Sequence, residues 1–308
     1  MPTAFISHPD CLRHETGEGH PESAARLHAI EDRLIEVQLY YLLRHLDASE
    51  ETREQLLRVH DAAYLDALDA ISVPDGLCYL DPDTAIGPHS LRAARRAAGA
   101  LVMAVEHVMQ GDVNNAFCAV RPPGHHARRD RAMGFCIYNN IAVGVAHALE
   151  VHGLERVAIL DFDVHHGNGT EEIFAADPRV MVCSTFQHPF YPDIPFEENG
   201  SRIICAPLQA GAGSGEFRTA VESRFLPALE DFRPQMLFIS AGFDAHRDDA
   251  MSAINLIDAD YAWVTRQIVE LARRHARNRI VSTLEGGYEL RSLARSVEAH
   301  LRALMELH

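Results

Sequence analysis

Four short apolar runs, each ending in polar residues, constrain the fold of this chain more than any other feature. They are VAILDFDV (157–164), VMVCSTF (180–186), MLFISAGFD (236–244) and IVSTLE (280–285). Their apolar residues are nearly continuous rather than alternating, which is the pattern of parallel strands covered on both faces. Between and after them lie stretches with apolar residues at three- and four-residue spacing, at 138–152, 215–231, 258–275 and 290–307. Strands alternating with helices predict an α/β fold, a central, mainly parallel sheet flanked by helices. In such sheets a ligand sits beyond the carboxyl ends of the strands, and there this chain carries its polar residues.

The chain has 308 residues, 47% of them hydrophobic, enough for one large core. No Pro/Gly/Ser-rich linker, low-complexity run or internal repeat marks a boundary, so residues 1–308 are expected to form a single domain. No apolar run approaches the roughly 20 residues that span a bilayer. The opening MPTAFISHPD lacks the basic start and long apolar segment of a secretory signal and reads as a first strand. Cys11, Cys78, Cys118, Cys136, Cys183 and Cys205 form no CxxC pair, as expected of reduced core thiols in a cytoplasmic protein, and this disfavours a cysteine zinc site. A net charge of −16 repels the phosphates of nucleic acid. It serves solubility, or draws cationic partners where it gathers at a site.

The segment from Asp161 to Gly169 reads DFDVHHGNG. Asp161, Asp163 and His165 are two apart, so an extended chain points all three to one side and Phe162 and Val164 to the other. Three polar residues on one face of a strand end either cap and turn the chain or bind a cation, because burying unpaired charge is costly. Asp163 and His165 are the candidate ligands. Asp244, closing SAGFD, reads by itself as a turn or a helix cap. Joined to Asp163 and His165, it gives two carboxylates and one imidazole with a position left for water. That is the donor set of a catalytic zinc site, although iron, manganese and cobalt accept the same donors.

In Arg121-Pro122-Pro123-Gly124-His125-His126 a stiff turn precedes two histidines. A histidine there can take a proton from water and return it to a leaving amine; the pair reads equally as a surface loop or as two further ligands. Leu284-Glu285-Gly286-Gly287-Tyr288 brings a phenol to a strand end, as a core tyrosine or as a donor to a developing oxyanion. The Gly-Gly pair also suits a phosphate loop, but the acidic chain and the missing GxGxxG spacing count against that.

Together and in this order, RPPGHH, GFCIYNN, DFDVHHGNGT, SAGFD and LEGGY resemble the zinc-dependent histone deacetylase family, with its bacterial deacetylase-like amidohydrolases and acetylpolyamine amidohydrolases. The resemblance runs from His20 in HPESAARL to the last helix and implies the arginase/deacetylase fold. It implies Asp163, His165 and Asp244 as zinc ligands, His126 as general base and acid, His125 as its electrostatic partner and Asp161 as the carboxylate that holds His125. Tyr288 is implied as the oxyanion donor. Asn168, behind His126, stands where one branch of the family has aspartate. Gly134, Phe135 and Tyr191 match walls of an acyl-lysine tunnel, and Arg26 matches a residue lining an inner acetate pocket. Asp161, Asp163, His165 and Ser184 match a structural potassium site. Two departures stand out. After Tyr191-Pro192 the family's glycine-rich turn is replaced by Asp193-Ile194-Pro195-Phe196-Glu197-Glu198, beside the substrate mouth. Where polyamine-specific relatives carry a gatekeeper glutamate, this chain has Met251, which argues against a dedicated polyamine enzyme of that type.

The implied reaction is zinc-dependent hydrolysis of an N-acyl amide, expected to be acetyl, on an acylated cationic small molecule or an acetyl-lysine peptide. Nucleic acid and membrane are not expected partners. Two other readings compete. A two-manganese ureohydrolase needs bridging carboxylates beyond the single ligand set found. A catalytically silent acyl-ligand sensor would not need His125, His126 and Tyr288 intact. The sequence leaves the substrate open, and also whether the chain forms a homo-oligomer.

Overall fold

A computed structural model of the chain describes residues 2–196 and 202–307. Its strands are β1 (Thr3–Ser7), β2 (Arg44–Asp47), β3 (Cys78–Tyr79), β4 (Ala85–Ile86), β5 (Asn115–Cys118), β6 (Val157–Asp161), β7 (Val180–Gln187), β8 (Ile203–Leu208), β9 (Met236–Ala241) and β10 (Ile280–Leu284). Its α-helices are α1 (Ala25–Glu36), α2 (Arg53–Leu57), α3 (Ala62–Asp69), α4 (Ser90–Gln110), α5 (Asn140–Glu150), α6 (Asn168–Phe174), α7 (Ser214–Ala220), α8 (Leu226–Phe232), α9 (Asp258–His275) and α10 (Leu290–Leu304). Eight strands form one sheet in the order β2-β1-β5-β10-β9-β6-β7-β8, with parallel pairing throughout. A short antiparallel ribbon joins β3 to β4.

The central strands are buried along their whole length, as continuous apolar runs require. Helices cover both faces. In β5, Phe117 meets His300 of α10, while the adjacent Cys118 bonds to Ala100 of α4. Neighbouring strand residues point to opposite faces, so α10 and α4 lie on opposite sides. α1 and α9 pack on α10, and α5 packs on α4.

The structure departs from the sequence reading at several ends. The first and third apolar runs stop pairing at Asp161 and Ala241, before the polar residues at their ends. The helix expected over 215–231 is interrupted by a wider π turn at Val221–Phe225 between α7 and α8. Among the described residues no helix is long and apolar enough to cross a membrane.

Candidate active site

The adjacent strands β5, β10, β9 and β6 send their carboxyl-terminal loops to one place. β6 stops at Asp161, whose carboxylate accepts the Asp163 N–H at 3.1 Å; Asp163 in turn accepts the His165 N–H at 2.8 Å. The chain therefore turns on these carboxylates instead of running on as an extended strand, which corrects the one-face expectation. Phe162 still packs inward, against Phe243 and Tyr261.

The turn brings His165 Nδ1 to 3.1 Å from Asp163 Oδ1 and 3.1 Å from Asp244 Oδ2. All three side chains are buried, and one donor atom from each lies within 4.8 Å of the others. Two buried carboxylates around one imidazole are a donor set that a divalent cation fits and stabilises. Glycines make room for it. A Cβ on Gly242 would stand 2.0 Å from Asp163 Oδ2, and one on Gly286 would stand 2.1 Å from Asp244 Oδ2. Gly286 also donates its N–H to Asp163 Oδ2 at 2.8 Å.

The two histidines after β5 have opposite surroundings. His125 Nδ1–H donates to Asp161 Oδ2 at 2.9 Å. Burial opposes charge on this ring, but Asp161 and Asp163 outweigh it and push its pKa up to about 10. His126 is pushed well below the usual range by burial and by the charges of His125 and His165. Its Nδ1 lies 2.8 Å from Asn168 Oδ1, an oxygen that can only accept. The proton of His126 therefore sits on Nδ1, and Nε2 keeps a free lone pair. Glu285 holds the turn before them: its Oε2 accepts the N–H groups of Gly124 at 2.7 Å and His125 at 3.1 Å.

Tyr288 stands beyond β10 with the Arg26 guanidinium 4.9 Å from its ring centre. Arg26 is itself buried, bonded to the carbonyls of Gly287 (2.6 Å) and Glu285 (2.5 Å) and paired with Glu22. Burial would raise the Glu22 pKa, but Arg121 outweighs it and holds the carboxyl near 2.

A cavity of about 210 Å³ opens above these groups. Phe135, Phe190, Tyr191, Met251 and Tyr288 form much of its wall, with Gly134 and Asp83. Tyr191 meets His126 edge-on at 5.3 Å, and Phe190 stacks on His165 at 5.3 Å. Ser184 sits in register with Asp161 on β7, and its buried Oγ has no hydrogen-bond partner among the described residues. Of the unusual 193–198 segment, Phe196 packs on Phe186, while Glu197 and Glu198 lie outside the described residues.

Every site residue inferred from sequence is thus gathered around this cavity or directly behind it. Sequence reasoning missed Asp83, Phe190, Glu285 as a support for His125, and Asp249. The buried Asp249 carboxylate accepts the N–H groups of Tyr288 and Glu289. Only Glu285 carried a signal, as a carboxylate directly before the Gly-Gly pair.

Residues 20–304 match the histone deacetylase domain family. A histone deacetylase-like amidohydrolase of Pseudomonas aeruginosa is 36% identical, over 93% of this chain and 81% of that protein. The polyamine deacetylase HDAC10 of Mus musculus is 33% identical over 99% of this chain and 48% of that protein. The crystal structure of the HDA15 HD domain superposes with a TM-score of 0.92 at 34% identity, covering 99% of this chain and 90% of that one.

Proposed function

Because this chain belongs to the histone deacetylase family, and is accordingly a hydrolytic deacetylase, we propose that it uses zinc to cleave an acetyl group from a lysine-like or polyamine-like amine. One observation carries the reading: Asp163, His165 and Asp244 meet beside His126 and Tyr288 at one apolar-walled cavity. Asp163, His165 and Asp244 would hold the metal. Zinc bound there would polarise the amide carbonyl and bring the pKa of a bound water toward neutrality. His126 Nε2, with its lone pair free, takes the proton of the attacking water. Tyr288 donates its hydroxyl hydrogen to the oxygen that gains charge. His126 then returns its proton to the departing amine. Asp161 fixes His125, and Asn168 fixes the tautomer of His126. Phe135, Phe190 and Tyr191 exclude water and suit an aliphatic stem.

The partnerless Ser184 Oγ beside Asp161 supports the expected structural potassium, together with Asp163 and His165. Among the described residues the six cysteines form no disulfide, which supports a reducing, cytoplasmic setting. A family match across residues 20–304 supports one domain. The test is turnover of acetyl-lysine peptides and acetylated polyamines by the zinc-loaded enzyme. Release of acetate that stops on chelation and returns with zinc is expected; no release from either substrate class overturns the proposal.

A further inference from the structure

A second cluster of carboxylate and imidazole side chains stands on α4, in the last turn of α5 and just beyond it. We propose that Glu106, His147 and His152 form a second, weaker site for a borderline divalent cation such as Zn2+. Glu106 Oε1 accepts from His147 Nε2 at 2.7 Å and from His152 Nε2 at 2.9 Å. The two rings lie 5.6 Å apart at 71°, so both present Nε2 to the same point without stacking. The other Glu106 oxygen accepts from Gln110 Nε2 at 3.0 Å, which fixes the carboxylate with Oε1 turned to the histidines. The three donor atoms lie within 4.8 Å of one another. Tetrahedral zinc with bonds of about 2.0–2.1 Å needs donors roughly 3.3 Å apart. Each Glu–His separation must therefore widen by only about half an ångström, which rotation of a partly exposed glutamate supplies.

The scaffold and protonation also suit a cation. His147 lies in the last turn of α5, and the Val151 N–H bonds back to its carbonyl at 3.0 Å, so the turn that presents His152 is ordered by the helix end. His147 Nδ1 accepts from Arg58, so the ring carries a single proton, on Nε2. Glu106 and His152 remain partly exposed, which leaves a fourth position for water.

Arg58 sets the strength of the site. Its Nη1 lies 3.1 Å from His147 Nδ1. A guanidinium only donates, so Nδ1 accepts and Nε2 carries the proton. A cation on Nε2 requires the proton to move to Nδ1, where it would face Arg58. Arg58 must then swing away toward the exposed Glu54, 3.5 Å from its Nη2. Among the described residues no guanidinium bonds to a ring nitrogen of His165, and the cavity set offers two carboxylates where this one offers a single carboxylate, so the cavity site fills first.

The test titrates enzyme that already carries one equivalent of zinc with Zn2+ against a chromophoric chelator. A second, weaker equivalent is expected. It should vanish in His152→Ala, while turnover at one equivalent and melting temperature stay at wild-type values. Arg58→Ala should tighten it by roughly tenfold, the effect of removing one opposing hydrogen bond to a charged group. Absence of a second equivalent, or its persistence in His152→Ala, overturns the site. Unchanged affinity in Arg58→Ala overturns the role of Arg58. Failure of the cavity site would appear separately, as loss of the first equivalent in all three proteins.

Discussion

The backbone N–H of Tyr288 donates to the Asp249 carboxylate across 2.6 Å, and the N–H of Glu289 shares the same oxygen at 3.0 Å. The other oxygen takes the N–H of Met251 at 2.9 Å. One side chain thus ties the turn that aims the phenol to a residue of the cavity wall. Asp249→Ala strands these donors, and each unsatisfied buried group costs about 1–3 kcal/mol. We expect a lower melting temperature, a kcat on acetyl substrates reduced by about tenfold or more, since 1.4 kcal/mol is tenfold, and unchanged zinc content. Asp249→Asn, which keeps one acceptor, should fall between. Unchanged kcat beside a lowered melting temperature would make Asp249 purely structural.

Tyr288→Phe removes one preorganised donor and no metal ligand. Such a loss typically costs roughly a hundred- to thousandfold in kcat, and that deficit is expected here with zinc content and melting temperature retained. A trifluoroacetyl substrate, whose carbonyl needs less help, should narrow the deficit. Near-normal turnover of the acetyl substrate, or lost zinc, would remove the oxyanion role.

Three buried histidines should cost the fold stability on mild acidification. Burial holds His14 and His60 at a pKa of about 4 and His300 at about 3. His60 shows why: its Nδ1–H donates to the Arg128 carbonyl, and its Nε2 accepts the Asn139 N–H, so a second ring proton would meet a donor. These folded-state values lie below the unfolded value of about 6.5. Below that pH the unfolded chain binds protons the folded chain refuses, so the stabilisation is complete above about 6.5 and is lost as pH falls toward 4. Between pH 7 and pH 5 the denaturant midpoint of His60→Gln should therefore change less in the destabilising direction than that of the wild-type protein. An equal change in both proteins would contradict the assignment.

Substrate charge should matter. The chain carries −16, and Asp83 lines the cavity, anchored by the Gly134 N–H at 3.1 Å. Cationic acetylated substrates should outperform matched anionic ones, and added salt should narrow the gap because it shortens electrostatic reach. Asp83→Asn should raise KM for the cationic substrate and leave kcat nearly intact. Equal kcat/KM for the two substrates at low salt would refute this.

The legible parts of the molecule were those written in local spacing. The buried central strands announced themselves as apolar runs, and Asp163 and His165 as polar residues two apart. Asp244 came to stand beside Asp163 and His165 only through the pairing of β9 with β6, which no local pattern encodes. Asp249 was illegible because it acts on backbone N–H groups, which every residue possesses. β2 escaped because its sequence, RHLD, lies at a sheet edge with little to bury. The expected single face over Asp161–His165 failed because carboxylates that capture backbone N–H groups end the strand.

The place of β10 in the sheet bears on how the protein is made. It is the last strand in the chain, yet it lies between β5 and β9 near the middle of the sheet. Until residues 280–284 have left the ribosome, the nascent chain can assemble only β2-β1-β5 on one side and β9-β6-β7-β8 on the other. Each half-sheet then shows a bare, apolar edge strand, the kind that invites pairing with another chain. The same late strand leads into Glu285, Gly286 and Tyr288, so completion of the sheet and completion of the catalytic floor are one event in synthesis. A prematurely terminated chain would accordingly lack the floor of the cavity and expose two strand edges.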